Sequence, residues 1–204
     1  MSSFLDTRQP ANGTPDRIGP GRLVLVIGPS GAGKDTLIAG TRVACAGDPS
    51  VVFPRRAITR PSTLDEAHDT ISENMFRREV EAGKFALWWE ANGHCYGLPI
   101  SIEADIRNRK TVVCNVSRTI VGLARQRYAF VTAVLVTAPR EVLMERLERR
   151  SRSSDGAIED RIGRSETIGR DIEADDVILN VGVPRIGIRR LLDVIRGGGI
   201  LPTS

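Results

Sequence analysis

The chain has only three cysteines in 204 residues, Cys45, Cys95 and Cys114. The number is odd and none stands in a C-x-x-C pair. Neither a disulfide framework nor a zinc site is indicated, and a reducing cytoplasm suits the composition. Histidine is just as sparse, with His68 and His94 alone. Together with Cys95 they reproduce the spacing of no common metal site. Long apolar runs are missing, and no stretch approaches the length needed to span a membrane. Residues 1–21 are rich in Ser, Pro, Gly, Asn and Asp and lack the apolar centre of a signal peptide, which predicts a flexible extension. Internal repeats are absent. The net charge of +4 is a mild excess. Arginine dominates it, clusters between Arg140 and Arg170, and captures phosphate of any kind bidentately. Anionic small molecules therefore account for it without a nucleic-acid partner.

What is present is an ordinary globular composition, 41% hydrophobic and 26% charged. The length suits one α/β domain with a sizeable core and is short for two. The chain is organised around Gly28, Pro29, Ser30, Gly31, Ala32, Gly33, Lys34, Asp35 and Thr36. The apolar run 23–27 before this stretch predicts a strand buried on both faces, and residues 36–39 after it predict the first turns of a helix. Strand, glycine-rich turn and helix form the context of a phosphate loop. Glycines let successive N–H groups point at phosphate oxygens, and the helix start adds partial positive charge. Lys34 then reaches the β- and γ-phosphates of a nucleotide. One position departs from G-x-x-x-x-G-K-[ST]: Asp35 stands where the hydroxyl belongs, and Thr36 follows one place late. A carboxylate beside a triphosphate is repulsive unless a cation lies between them, so Asp35 is expected to be a Mg²⁺ partner, directly or through water.

Further along, strands are expected at 51–53, 85–90, 111–116, 130–136 and 177–180. Residues 62–70 are expected to form a loop or a small irregular sheet. Asn92-Gly93 signals a turn. Ser72 is placed to cap a helix through 81 that stops at Gly83. Pro99 is expected to open a helix to about 108, and helices are also expected at 117–127, 140–150, 158–172 and 184–196. Strands alternating with helices predict a parallel sheet covered on both faces. Residues 197–204 are expected to be a loose tail.

Four motifs in order carry a resemblance: GPSGAGKD at 28–35, Ile58-Thr59-Arg60, Asn92-Gly93 with Tyr96-Gly97, and Arg146-Leu147-Glu148-Arg149-Arg150. They resemble the guanylate-kinase-like branch of nucleoside monophosphate kinases over about 22–195. Within that branch, the first two motifs together with Trp89-Glu90-Ala91-Asn92-Gly93 and Asn115-Val116-Ser117-Arg118 resemble the ribose 1,5-bisphosphate phosphokinase family. The resemblance implies an α/β P-loop NTPase fold, a three-layer α/β/α arrangement with a parallel sheet. It also implies a small substrate-binding insertion at about 53–98 and a lid at about 150–160. The implied activity is ATP-dependent phosphorylation of ribose 1,5-bisphosphate to 5-phosphoribosyl 1-diphosphate in phosphonate breakdown, with ATP and Mg²⁺ as cofactors. Small-molecule substrates are the partners, with no nucleic acid and no membrane. The oligomeric state stays open, a homodimer included. A guanylate kinase or another nucleoside monophosphate kinase is the enzymatic alternative, and a guanylate-kinase-like binding module that has lost catalysis is the other.

The departures from guanylate kinases favour the sugar substrate. Those enzymes read guanine with acidic residues, whose positions match Leu87, Asn115 and Ser117 here, and with a tyrosine that matches His68. A site lacking buried acceptors for the base loses orders of magnitude in discrimination. By resemblance, Arg60 and Tyr96 hold the acceptor phosphate. Arg56 replaces a Ser of the relatives, and a second substrate phosphate would justify it; with Arg55 it alternatively forms a solvated basic loop. His68, Asn115 and Ser117 are placed in the acceptor pocket, which Leu87 would also line. Arg150 and Arg161 are implied to close over the transferred group, and Asn180 to lie near the adenine. Arg146 and Arg149 are either lid residues or an exposed helix face. Trp88 and Trp89 resemble a stacking platform, though an apolar strand favours the core for at least one. Lys34→Ala is expected to abolish turnover with little loss of fold; turnover of that variant at the wild-type rate would refute the phosphate-loop assignment.

Overall fold

The computed structural model describes residues 17–61, 68–150 and 174–197, the side chain of Arg150 excepted. The apolar run ahead of the glycine loop forms β1 (Arg22–Ile27), and the loop feeds α1 (Lys34–Ala44). β2 (Val51–Val52), β7 (Thr111–Asn115), β8 (Val131–Thr137) and β9 (Asp176–Leu179) join β1 in one sheet of order β2-β7-β1-β8-β9, with every pairing parallel. Because side chains alternate along a strand, β1 feeds two cores. Leu23 and Leu25 pack with Ile102 and Ile106 of α3 (Ile102–Arg107) and with Val121 and Ala124 of α4 (Val121–Arg127). Val24 and Val26 pack on the other side with Leu37 of α1, Leu143 of α5 (Arg140–Arg150), and Leu191 and Val194 of α6 (Pro184–Ile195). This gives the expected three layers, with β1 central and its C-terminal end aimed at the loop.

A second sheet of order β4-β3-β6-β5 is built from β3 (Arg56–Ile58), β4 (His68–Thr70), β5 (Phe85–Ala91) and β6 (His94–Pro99). The helix α2 (Glu73–Glu81) is capped by Ser72, whose hydroxyl accepts from the Met75 N–H at 3.2 Å. Its Phe76 stacks on Phe85 with ring centroids 4.8 Å apart and meets the edge of Trp88. The opposite face of this sheet presents Leu87, Trp89, Tyr96 and Leu98 to the first core, so the small sheet shares its packing with the large one.

Several expectations are corrected here. Residues 18–21 are not loose. Ile18 packs against the first core and exchanges backbone hydrogen bonds with Arg127 and Ala129, and the Gly21 N–H donates to the Ile106 carbonyl at 2.8 Å. Residues 56–58, for which no strand is expected from the sequence, form β3. Pro99 closes β6 instead of opening a helix. A residue without an N–H is tolerated at the end of a ladder, and α3 starts three residues later. The helix expected over 158–172 and the lid over 150–160, with Arg161, lie outside the described residues. Leu87 does not line an open pocket: it is 2% exposed within the first core. Leu87→Glu is therefore expected to cost roughly 3 kcal/mol or more in urea denaturation, since it buries a carboxylate among apolar groups. An unchanged unfolding midpoint would return Leu87 to the pocket.

Candidate active site

The loop between β1 and α1 takes left-handed backbone conformations at Gly31 (φ 82°) and Gly33 (φ 87°), which only glycine adopts cheaply. Gly33 is the N-cap of α1, and a Cβ there would strike the Asn180 amide. The loop thus lies directly on its supports. Asn180 follows β9 and is 6% exposed; its Nδ2 donates to the Ala32 carbonyl at 2.7 Å, and its own N–H donates to Thr137 at 2.7 Å. Arg146 of α5 donates from Nη2 to the Asn180 carbonyl at 3.0 Å and from Nη1 to the Gly31 carbonyl at 3.4 Å. Arg146 is thus a brace of the loop, neither of the two roles weighed for it. Arg149 lies on the exposed helix face and pairs with Glu145 at 2.7 Å. Lys34 begins α1 and folds back over the loop, donating from Nζ to the Gly28 and Pro29 carbonyls at 2.8 and 2.9 Å. Pro29 and Ser30 are half-buried, Ala32 is buried and Thr36 is exposed.

Next to the lysine, Asp35 meets two other elements. Asn115, the last residue of β7, donates from Nδ2 to Asp35 Oδ1 at 2.8 Å. Arg56 of β3 donates from Nη1 to the Asn115 carbonyl at 3.0 Å, and its Nη2 lies 4.0 Å from the same Asp35 oxygen. Register places His68 and Tyr96, both expected at the acceptor, on the Arg56 face of the small sheet. Arg56 pairs with His68 across β3 and β4, and Ile58, two residues on, pairs with Tyr96 of β6. Tyr96 stacks on Trp89 with centroids 5.4 Å apart and planes 7° apart. His68 is buried, and Arg60 is half-buried just beyond β3. Ser117 Oγ accepts from the Thr119 N–H and hydroxyl, capping a 3-10 turn over Arg118–Ile120. Burial pushes the Cys114 thiol up to about 12 against the pull of the nearby Arg56, so it stays neutral and is no nucleophile. The carbonyl-to-guanidinium and amide-to-carboxylate links at Asn115, and the bracing of the loop by Arg146, are what sequence reasoning missed. Their partners are far apart in the chain and leave no local signal.

Among the described residues no three His, Cys, Asp or Glu side chains gather into a metal cluster. Magnesium needs no such cluster: it takes one or two carboxylates and completes its shell with phosphate and water. Asp35 fits that pattern. Its side chain is 37% exposed beside the loop, and Oδ2 receives no donor from the described residues.

A parallel sheet whose central strand runs into a glycine loop and a lysine-headed helix, with a small second sheet linked to that loop, defines the guanylate-kinase type of P-loop fold. The solved guanylate kinase of Anaplasma phagocytophilum superposes with a TM-score of 0.64 over 91% of this chain and 89% of that one, at 16% identity, a likeness of fold. No protein-family model matches the chain. Curated relatives do. Ribose 1,5-bisphosphate phosphokinase PhnN of Rhodopseudomonas palustris is 51% identical over 188 residues, covering 92% of this chain and 95% of the relative. The proteins of the same name from Bradyrhizobium diazoefficiens and Methylobacterium radiotolerans are 50% and 45% identical, covering 91% and 87% of this chain and 93% and 98% of their own. The chain belongs to the ribose 1,5-bisphosphate phosphokinase family, a family of kinases. No helix among the described residues is long and apolar enough to cross a membrane.

Asn180→Ala removes the donor to a buried carbonyl of the loop. It is expected to cost about 1–3 kcal/mol of stability and to weaken ATP binding, by urea denaturation and nucleotide titration. An unchanged ATP affinity would show that the brace does not shape the phosphate site.

Proposed function

We propose that the chain transfers the γ-phosphoryl group of ATP to ribose 1,5-bisphosphate, giving 5-phosphoribosyl 1-diphosphate and ADP. The observation that carries this reading is the shared name of relatives at 43–51% identity over nearly all of the chain. In this reading a kinase domain over 22–196 holds ATP on the loop from Gly28 to Thr36, with Lys34 on the β- and γ-phosphates and Asn180 behind the loop. The small sheet, within an acceptor-binding insertion at about 53–98, presents Arg56, Arg60 and Tyr96 to the acceptor's phosphates. His68, Asn115 and Ser117 complete that pocket. Arg150 and Arg161 close over the transferred group from the lid. The protein works in the cytoplasm.

The nucleophile is an oxygen of the 1-phosphate, already deprotonated at neutral pH, so no general base is required. A bond forms between that oxygen and the γ-phosphorus, and the bond from the γ-phosphorus to the bridging oxygen breaks, with ADP as the leaving group. Catalysis then rests on alignment and on neutralising charge. When bound at Asp35, Mg²⁺ supplies part of that neutralisation; Lys34 and the arginines supply the rest. A guanine reader is disfavoured at three of the four positions that would provide one, His68 being the fourth. Leu87 is inside the core, the Asn115 amide is engaged with Asp35, and the Ser117 hydroxyl caps its own turn.

Phosphorus NMR of a mixture of the protein, ATP, Mg²⁺ and ribose 1,5-bisphosphate tests the reading. The expected outcome is a second diphosphate formed in equal amount with ADP, and roughly a 100-fold fall in kcat/KM for Arg56→Ser as a charged phosphate contact is lost. ADP accompanied by free phosphate alone would mean hydrolysis and would contradict the assignment.

A further inference from the structure

A carboxylate in the phosphate loop is a liability for a site that brings two polyanions together, and the geometry around Asp35 shows how it is balanced. Two groups share the single oxygen Oδ1: the Asn115 amide at 2.8 Å and the Arg56 guanidinium at 4.0 Å. The first is a hydrogen bond. The second is too long for one and is a loose electrostatic contact. Arg56 keeps an independent anchor, its Nη1 hydrogen bond to the Asn115 carbonyl at 3.0 Å, so it can release Asp35 without leaving its place. Its side chain is only 15% exposed, whereas that of Asp35 is 37% exposed and reachable from solvent.

From this arrangement we propose that Asp35, Arg56 and Asn115 couple acceptor binding to cation binding. An arriving phosphate of the acceptor takes Arg56 from the loop carboxylate, and a divalent cation replaces the guanidinium beside Asp35. Without the cation, Asp35 both competes with the acceptor for Arg56 and repels it. With the cation bound, both penalties vanish. Reciprocity then requires that the acceptor tighten the cation by the same factor as the cation tightens the acceptor. Asn115 is the positioning residue of the set, because it touches both partners and fixes the distance between them. The inference rests on the acceptor being a sugar bisphosphate, as proposed above.

Calorimetric titration of ribose 1,5-bisphosphate, without nucleotide and at matched ionic strength, tests it with and without millimolar Mg²⁺. For the wild-type chain, Mg²⁺ is expected to tighten the acceptor about tenfold. For Asp35→Asn, the acceptor is expected to bind more tightly than to wild type in the absence of Mg²⁺, and Mg²⁺ is expected to change its affinity less than about twofold. Association of Mg²⁺ with the free sugar phosphate is common to both titrations and cancels in the comparison. Asp35→Ser, which restores the usual residue of the loop, is expected to repeat the Asn result, with both variants checked for cooperative unfolding. An equal Mg²⁺ effect in wild type and variants, or weaker acceptor binding in the variants, would overturn the coupling while leaving the acceptor assignment intact. Failure of ribose 1,5-bisphosphate to bind the wild-type chain under either condition would overturn the acceptor assignment and the coupling with it.

Discussion

The phosphate loop holds its shape because it is pressed onto the backbone and side chains that support it. A Cβ at Gly28 would overlap the Val136 carbonyl of β8, and one at Gly33 would overlap the Asn180 amide. Nothing larger than hydrogen fits, so the loop can lie flat on the end of the parallel sheet. Its inner carbonyls are taken by Asn180, Arg146 and Lys34. The sheet order follows from the same requirement: β8 and β9 must flank β1 on the side where the loop turns, and the parallel pairings place Val136 and Asn180 beneath it.

In the proposed reading, the second sheet answers a different need. An acceptor phosphate must be brought to the γ-phosphorus from the side opposite the leaving group, and the negative charges of both molecules must be balanced on the way. A short sheet sharing its core with the main one is rigid enough to aim side chains at the loop. Leu87, Trp89 and Leu98 anchor it, Tyr96 stacks on Trp89, and Arg56 reaches across to β7 and α1. By register Arg56, Tyr96 and Trp89 lie on one face of the small sheet, so its cationic residue and its apolar anchors share the side turned to the main sheet. A guanine-reading acid at position 87 would point into that apolar packing, which a sugar substrate does not require to be interrupted.

The parallel sheet and the loop were legible in the sequence because buried parallel strands are continuous apolar runs and the loop motif is local. Asp35 stood out for the same reason, one unexpected residue within a fixed spacing. The three-residue strands β3 and β4 were not legible: Arg-Ala-Ile and His-Asp-Thr have no alternation long enough to separate them from loop. Pro99 looked like a helix start because proline favours the first helical turn, but the antiparallel pairing of β5 and β6 fixed it as a strand end. The match of Leu87 to an acidic position of guanylate kinases predicts a pocket residue, but a positional match does not say whether an apolar replacement still faces the ligand or retracts into the core. Arg146, in the sequence RLERR, looks the same whether it faces solvent, a lid or the loop. Only the crossing of α5 over Gly31 decides. The Asp35–Asn115–Arg56 group joins residues from three separate elements, and no periodicity announces it.

In the proposed reading, the site keeps a phosphate-binding half and has given up reading a base. ADP release in the presence of ATP and Mg²⁺, with ribose 1,5-bisphosphate and GMP offered side by side, tests that claim most directly. The account predicts turnover of the bisphosphate with a kcat/KM at least about 100-fold above that for GMP, the discrimination expected when a base finds no hydrogen-bonding partners. A preference for GMP would contradict it, and would mean that His68, Asn115 and Ser117 read a purine on the same fold.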